Sequence, residues 1–291
     1  MSDELYPLIR RIHIESKRLA REMLMGAYRS AFKGSGMEFD EEREYVNGDD
    51  IDKIDWNVTA RMNHPYVKVF REERELSILF LVDVSLSMST GSGSLIKKQK
   101  AAEVAALLAF SALHNHDRVG LLLFSDRVEK YIPPKSNLRH VLRILREILG
   151  IDPKGRTTNI ASALSYVGKV IVKPAICFVI SDFFSEPFSR PAEIVARKHD
   201  LIAISIQAVQ DQKLVPIGLS NWVDPETGVE RVVDTSNEVI REQFAAEAAE
   251  HRKNTIRLFN KIGGSWLEIP DGKPLVPIIR KFFKMRGKHP K

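Results

Sequence analysis

The sequence predicts an α/β protein built around a mostly parallel β-sheet with helices on both faces. Apolar runs of strand length alternate along the chain with stretches of helical periodicity. The run LSILFLV is almost continuously apolar, which is typical of a strand buried on both faces of a parallel sheet. The composition fits a folded, soluble protein, since 44% of the 291 residues are hydrophobic and 28% are charged. The predicted fold class is therefore α/β, with helices covering the sheet.

The central elements follow from local patterns. Strands are expected where apolar residues cluster, at 66–70, 76–82, 118–124, 175–180 and 200–206. Helices are expected between the later strands, at 98–114, 137–149, 159–172 and 191–198. A short strand at 128–132, just after the residues FSDR, is expected to form a hairpin partner at one edge of the sheet.

The N-terminal region predicts an amphipathic helix followed by an irregular arm. Over residues 4–30 the stripe comprises Leu5, Ile9, Ile12, Leu19 and Met23, which follow one another at steps of three and four when Ser16 fills the gap between Ile12 and Leu19. The stripe is expected to pack on its own protein, although the same spacing also suits a partner-docking helix. Residues 34–65 lack a clear period and are rich in Gly, Asp and Asn, which favours an irregular segment.

The C-terminal region predicts a hairpin, two helices and one more strand. The hairpin is expected over 219–234, with its turn at Asp224-Pro225-Glu226-Thr227-Gly228. A helix over 236–261, a strand over 266–269 and a helix over 274–284 follow. We expect three regions: the N-terminal helix and arm at 1–72, a sheet domain at 73–209 and a C-terminal extension at 210–291.

Charge and cysteine content limit the classes of function. The first residues, MSDELYPLIRR, lack the apolar core of a secretory signal, and no apolar run approaches the roughly 20 residues of a membrane-spanning helix. The single cysteine, Cys177, excludes an internal disulfide and lies in an apolar run typical of a core. The last twelve residues, RKFFKMRGKHPK, are basic and suit nucleic acid or anionic lipid, but such ends are usually only solvated. We expect a cytoplasmic protein that does not bind nucleic acid.

Oxygen-bearing side chains follow three predicted strands or loops that meet at one edge of the sheet. Asp83, Ser85 and Ser87 come directly after a buried strand, and their alternate spacing lets them converge. Thr158 precedes a predicted helix, and Asp182 ends another apolar strand. Ligands of open α/β sheets bind at the carboxyl ends of strands, and hard oxygen ligands suit Mg²⁺. The alternative is that these residues are helix caps and turn formers.

These motifs carry a resemblance to a known family. DVSLSM, TTNIASAL and ISDF resemble the metal-ion-dependent adhesion site of von Willebrand factor A domains. More specifically, the chain resembles the DUF58 family, whose signature is similar to GSGMEFDEEREYVNGDDIDKIDWNVTARMNHPYVKVFREEREL, LLAFSALHNHDRVGLLLFSDRVEKYIPP and ARKHDLIAIS. The resemblance covers about residues 30–235.

The resemblance implies a site and partners. By position, a metal ion would be held by Asp83, Ser85, Ser87, Thr158 and Asp182. The ion would be Mg²⁺, or alternatively Mn²⁺ or Ca²⁺, and a Glu or Asp of a partner would complete its coordination without any bond being made or broken. The family also implies a cytoplasmic adaptor that works with a MoxR-type AAA+ ATPase. Two departures, Asp52 and Asn159, concern the arm's charges and the outer shell of the site.

The arm carries the rest of the resemblance. Its matching residues are Tyr45, Gly48, Asp49, Asp50, Asp55, Trp56 and Arg61. One interpretation is a buried network of arginine and carboxylate groups that stabilises the arm, with Trp56 plugging its own domain. The other is a partner-binding surface with Trp56 as an anchor, formed with Tyr45, Asp49, Asp50 and Arg61.

Catalytic alternatives have less support. An aspartate after an apolar strand also resembles the nucleophile of haloacid-dehalogenase phosphatases, so an aspartate-dependent phosphohydrolase with Asp83 as nucleophile stays an alternative. Those enzymes have a second acid two residues later, and here that residue is Ser85. GIDPKGRT at 150–157 departs from the phosphate-binding P-loop and follows a helical stretch, which argues against a nucleotide site. We expect no enzyme; a scaffold with a vestigial metal site is the third alternative.

Overall fold

The computed structural model describes residues 2–20, 25–32, 38–71, 75–89, 97–223 and 228–288. The strands in chain order are β1 Glu38–Glu44, β2 Tyr66–Arg71, β3 Ser77–Asp83, β4 Arg118–Phe124, β5 Val128–Lys135, β6 Ile176–Ser181, β7 Asp200–Gln207, β8 Leu219–Val223, β9 Glu230–Asp234 and β10 Ser265–Pro270. Six of these strands form the central sheet, in the order β10-β7-β6-β3-β4-β5.

The central sheet is parallel except at one edge. β10, β7, β6, β3 and β4 pair in parallel, while β5 pairs antiparallel with β4. This confirms the predicted fold class and the predicted edge strand after FSDR. The carboxyl ends of five strands consequently lie along one edge of the sheet.

The helices in chain order are α1 Ser2–Leu19, α2 Met25–Ala31, α3 Trp56–Met62, α4 Leu86–Ser89, α5 Lys97–His114, α6 Leu138–Gly150, α7 Ile160–Val170, α8 Ser189–Ala196, α9 Glu238–Lys261 and α10 Leu275–Lys288. Most of them cover the two faces of the central sheet, and α3 belongs to the arm. The four central helices predicted from periodicity are present as α5, α6, α7 and α8, with ends that differ by at most two residues.

Two hydrophobic cores lie on opposite faces of the sheet because successive strand residues point to opposite sides. On one face Phe80 and Phe178 stack with ring centroids 5.5 Å apart, and α1, α2, α5, α6 and α10 pack over them. On the other face α7, α8 and α9 cover the sheet, with Phe259 of α9 fully buried. Cys177 lies in this second core, where burial raises the pKa of its thiol to about 12. It is a core residue, as the sequence predicted.

The N-terminal stripe packs on its own protein, as expected. Ile12 is buried, and the His13 ring stacks on Phe110 of α5 with centroids 5.3 Å apart. α1 contacts both α5 and α6. The helix predicted over 4–30 is present as α1 and α2, and residues 21–24 between them lie outside the described residues. Met23 lies outside the described residues, as does the side chain of Leu5.

The arm is more regular than the sequence predicted. β1 pairs antiparallel with β2, a 3-10 turn spans Ile51–Lys53, and α3 follows. The prediction of an irregular segment over 34–65 is therefore wrong for this part. β1 was missed because its sequence, EFDEERE, is almost entirely charged and carries no apolar alternation. β2 was predicted, but it forms this separate two-stranded sheet rather than joining the central one.

The C-terminal residues form the predicted hairpin and also extend the central sheet. β8 and β9 pair antiparallel, while four residues of the predicted turn, 224–227, lie outside the described part of the chain. α9 and β10 follow at the predicted places, and β10 adds in parallel to β7 at the sheet edge. α10 then packs against α2 and β10. Residues beyond 210 therefore complete the sheet that begins at β3.

Candidate functional site

The candidate site lies at the carboxyl ends of β3 and β6. Asp83 is the last residue of β3, and Ser181 is the last residue of the neighbouring β6. Both side chains are fully buried. Ser85 lies between β3 and α4, Ser87 lies in α4, and the residues just before α7 bring Thr158 to the same place. Three separate stretches of chain thus meet around one carboxylate.

Four of the five predicted ligands form one connected cluster. The Thr158 hydroxyl donates to Ser85 Oγ at 2.9 Å, and Ser85 Oγ lies 3.0 Å from Ser87 Oγ. Thr158 Oγ1 also lies 3.5 Å from Asp83 Oδ2. Asp83 Oδ1 accepts a bond from the backbone N–H of Ser85 at 2.9 Å. The cluster therefore presents one carboxylate and three hydroxyls around a common point.

The spacing of these oxygens fits a small divalent cation. Ligands of octahedral Mg²⁺ lie about 2.0–2.1 Å from the ion, so neighbouring ligand oxygens are about 3 Å apart. The Thr158–Ser85 and Ser85–Ser87 oxygen pairs have this separation. Among the described residues, no group of three or more His, Cys, Asp or Glu side chains is placed to hold a metal ion. A cation here would depend on hydroxyl ligands together with Asp83.

The fifth predicted ligand, Asp182, lies beside the cluster and forms a buried ion pair. Its Oδ2 accepts a bond from Lys97 Nζ at 2.9 Å, and its Oδ1 accepts one from the Phe184 N–H at 3.2 Å. Lys97 also pairs with Asp211 at 2.8 Å. The Asp182 side chain is 1% exposed. The second carboxylate oxygen of Asp182, Oδ1, does not pair with Lys97. This oxygen is compatible with contact to a metal ion through a bridging water.

The electrostatics of the site favour a bound cation. Burial, and next the negative charge of Asp182, raise the pKa of Asp83 to about 7. The interactions that act on Asp83 within the described residues include no cation. Burial by itself would lower the pKa of Lys97, but the charges of Asp182 and Asp211 outweigh it and raise that pKa. Lys97 thus neutralises Asp182, whereas Asp83 is left with hydrogen-bond donors alone.

The loop that carries Thr158 is fixed by a second set of contacts. Glu129 Oε1 accepts bonds from the Ser125 hydroxyl at 2.6 Å and from the Gly155 N–H at 2.8 Å. The backbone of Asn159 bonds to Ser125 at 2.9 Å. A Cβ at Gly155 would collide with the side chains of Ser125 and Asp126, so this close approach requires glycine. These contacts hold the residues before α7 against the end of β4.

The helix-cap alternative fails for Thr158. The N-cap of α7 is Asn159, whose side chain accepts a bond from the Ser162 N–H at 2.8 Å. The Thr158 hydroxyl instead donates to Ser85. Asn159, one of the two departures from the family pattern, therefore has a local structural role.

Sequence reasoning missed three side chains that shape the site. Ser181 donates to Asp83 Oδ2 at 2.6 Å, and its place next to Asp182 at a strand end was a usable signal. Lys97 and Asp211 were missed because Lys97 contacts Asp182 across 85 residues and Asp211 across 114. No local pattern in the sequence connects such distant positions.

Among the matching arm residues Asp55 is buried, but together they do not form a buried network of arginine and carboxylate groups. Asp49 receives two bonds from Arg43, both 2.7 Å, yet the Arg43 side chain is 43% exposed. Asp55 caps α3 and pairs with Lys68 at 2.8 Å. Trp56 is 67% exposed, so the expectation that it plugs its own domain is wrong.

The remaining arm residues have local or exposed positions. Asp50 caps the 3-10 turn through the Asp52 N–H at 3.2 Å. The Tyr45 N–H donates to the Pro65 carbonyl at 2.8 Å, and Arg61 is exposed in the last turn of α3. These residues lie outside the cluster around Asp83.

The fold and site define an α/β protein with a carboxylate–hydroxyl cluster at the strand ends. Residues 41–254 match the family described as "Protein of unknown function DUF58", and the chain belongs to that family. The family identified from the sequence motifs is thus confirmed.

The chain is also similar to an uncharacterized protein and to two solved structures. An uncharacterized protein of Mycobacterium tuberculosis is 28% identical over 281 residues, which are 96% of this chain and 88% of the relative. The conserved hypothetical protein BatB from Bacteroides thetaiotaomicron is 17% identical, with a TM-score of 0.47 over 73% of this chain and 99% of that one. A von Willebrand factor type A protein from Catenulispora acidiphila is 12% identical, with a TM-score of 0.38 over 77% and 44% of the two chains.

In the part of the chain that the structure describes, no helix is both long and apolar enough to cross a membrane.

Proposed function

We propose that the protein is a metal-dependent protein-binding module. A Mg²⁺ ion, or Mn²⁺ or Ca²⁺ in its place, is held by Asp83, Ser85, Ser87, Thr158 and, through water, Asp182. The observation that carries this proposal is the set of hydroxyl oxygens about 3 Å apart around the buried Asp83 carboxylate. When bound, the ion supplies a Lewis-acidic position that accepts a carboxylate from another protein.

The residues around the cluster support a binding role. Both Asp83 oxygens are held by donors, the Ser85 N–H and the Ser181 hydroxyl, so the carboxylate has a fixed orientation. Lys97 neutralises Asp182 and limits the negative charge that the site places on a cation. A site of this kind keeps room for one external oxygen ligand, which a Glu or Asp side chain of a partner would supply.

The resemblance of the sequence motifs to the family supports a proposal about the partner. We propose that the module is an adaptor that links a client protein, through its carboxylate, to a MoxR-type AAA+ ATPase. The exposed Trp56 and the acidic surface of the arm near Asp49 and Asp50 offer a second contact region for such a partner.

The same geometry supports a role without catalysis. A nucleophilic carboxylate must be open to the substrate, whereas the Asp83 side chain is fully buried. The position two residues later, where a phosphatase of that class has its acid, is the hydroxyl of Ser85. We therefore propose that Asp83 holds a metal ion and does not attack a substrate.

Binding of purified components tests this function. The wild-type chain and the MoxR-type AAA+ ATPase of the same organism are mixed in Mg²⁺ or in EDTA and separated by gel filtration. The proposal predicts a complex in Mg²⁺ that is lost in EDTA and in Asp83→Asn. Asp271→Asn, an exposed carboxylate in the turn before α10, is the matched control and should bind normally. A complex of equal strength in EDTA would overturn the metal-dependent mechanism.

A further inference from the structure

The two helical layers of the molecule differ strongly in charge. The helices on one face of the sheet, α1, α2, α5, α6 and α10, contain sixteen Lys or Arg and five Asp or Glu. The helices on the other face, α7, α8 and α9, contain seven Lys or Arg and five Asp or Glu. The helices of the first face therefore carry eleven more cations than anions, whereas those of the second face carry two more.

The outward side of α1 concentrates this charge. Arg10, Arg11, Lys17 and Arg18 are exposed and lie on the side of the helix opposite the buried Ile12. No ion pair with another described residue neutralises them, in contrast to Arg43 or Arg252 elsewhere.

Apolar side chains are exposed between these cations. Tyr6 is 77% exposed and Ile14 is 56% exposed, and both lie on the same outward side of α1. The core-facing stripe of α1 is already packed against the protein. The exposed Tyr6 and Ile14 therefore add no burial of apolar surface within the fold. Basic helices with interleaved apolar residues are typical of surfaces that lie on anionic membranes.

Neighbouring helices enlarge this surface. α6 contacts α1 and exposes three arginines at helical spacing, Arg139, Arg143 and Arg146. α10, on the same side of the sheet, exposes Lys281 and Lys284 together with Met285. We call the exposed cations of α1 and α6 the basic face.

We propose that the basic face binds the surface of an anionic lipid bilayer. Clusters of four to eight Lys or Arg on a helical surface suit anionic headgroups, each contributing about 1 kcal/mol near the membrane surface. The exposed Tyr6 and Ile14 suit the boundary between headgroups and acyl chains, where an apolar side chain leaves water. Phosphate contacts of a nucleic acid would use the cations but not these two side chains. The exposed apolar pair therefore favours lipid over nucleic acid.

This binding is independent of the metal site. The basic face is the outer surface of a helical layer, while the cluster around Asp83 lies at the carboxyl edge of the sheet. A chain attached to a membrane through α1 and α6 would keep that edge open to a protein partner.

Vesicle co-sedimentation tests the proposal. The full chain is mixed with vesicles of phosphatidylcholine alone or with a third of phosphatidylglycerol, at low and at high salt. We expect binding to the anionic vesicles only, and weaker binding at high salt because the charges are screened. In the triple variant Arg10→Gln, Lys17→Gln, Arg18→Gln, the partition coefficient should fall by at least about tenfold.

Two further variants make the result specific. Arg190→Gln, Arg197→Gln, Lys253→Gln removes three exposed cations from the opposite side of the sheet and should bind as the wild type does. Tyr6→Ser with Ile14→Ser should weaken the binding that remains at high salt, since that binding depends on apolar contacts. An equal loss in both triple variants, or no binding of the wild type to anionic vesicles, would overturn the proposal. Tighter binding to a 20-base-pair DNA duplex than to the vesicles would also overturn it.

Discussion

The ammonium of Lys97 lies 2.9 Å from Asp182 Oδ2, and this ion pair is buried at the edge of the candidate metal site. Lys97 also pairs with Asp211, which follows β7, so a single cation joins α5, β6 and the segment after β7. Through Lys97, the charge of Asp182 beside the candidate metal site is linked to α5 and to Asp211. Its consequences for stability and for cation binding are measurable.

Lys97→Met should lower the stability of the metal-free protein and increase its affinity for Mg²⁺. Removing one partner of a buried ion pair costs about 3 kcal/mol, because the remaining carboxylates stay buried and unpaired. A bound cation then replaces part of the missing positive charge. Urea unfolding should therefore show a smaller loss of unfolding free energy in Mg²⁺ than in EDTA. Lys100→Met, whose pair with Glu103 lies within one helix, serves as a control with a loss below about 1 kcal/mol. Equal losses with and without Mg²⁺ would contradict the coupling.

Ser181→Ala should weaken metal binding without removing any ligand. The Ser181 hydroxyl holds Asp83 Oδ2 at 2.6 Å, and loss of such a supporting bond typically costs about tenfold or more in metal affinity. Isothermal titration with Mn²⁺ measures the effect. Ser205→Ala is the matched control, since Ser205 is the residue paired with Ser181 on the neighbouring strand and is also buried. Unchanged affinity in Ser181→Ala would show that Asp83 needs no such support.

Gly155→Ala should destabilise the fold and displace Thr158. The new methyl group would collide with Ser125 and Asp126, and overpacking of this kind costs about 1–3 kcal/mol. Gly168→Ala on α7 meets no atom within 4 Å and should instead stabilise the protein by about 0.5–1 kcal/mol. Thermal unfolding of both variants checks the signs, and Mn²⁺ titration checks the displacement. A stabilised Gly155→Ala protein would contradict the observed close approach.

Tyr28→Phe should change how stability depends on alkaline pH. The Tyr28 hydroxyl donates to Asp117 at 2.7 Å, and burial, followed by the Asp117 charge, raises the pKa of Tyr28 well above its usual value. Above pH about 10 the unfolded tyrosine loses its proton while the folded one retains it, so the unfolding free energy of the wild type falls as pH rises.

The variant lacks this titration. At neutral pH it should be less stable by about 1–3 kcal/mol, because buried Asp117 loses a hydrogen-bond donor. Above pH 10 the difference from the wild type should shrink. Urea unfolding from pH 7 to 11 measures both, and parallel profiles for the two proteins would contradict the assignment.

Local patterns in the sequence were sufficient for the core of the fold. The buried strands β3, β6 and β7 are continuous apolar runs, and Asp83, Ser85 and Ser87 follow one of them directly. Thr158 was placed correctly because it precedes a helix whose period is clear. The convergence of these residues follows from parallel strands that end at one edge.

Other features could not be predicted because they depend on contacts between distant residues. Lys97 reaches Asp182 across 85 positions, and the sequence carries no signal for that pair. β1 is charged along its length and exists as a strand because it pairs with β2. Trp56 was expected inside the protein from its residue type, yet its position on a short exposed helix leaves it in solvent.

The most direct test of the central claim is a titration of the metal-free chain with Mg²⁺ by isothermal calorimetry, repeated for Asp83→Asn and Asp271→Asn. Asp83→Asn keeps the shape of the side chain and removes a buried charge, so it should fold. Saturable binding of one Mg²⁺ by the wild type and by Asp271→Asn, with none by Asp83→Asn, is the predicted result. Binding that persists in Asp83→Asn, or no binding by the wild type, would contradict a metal site at the end of β3.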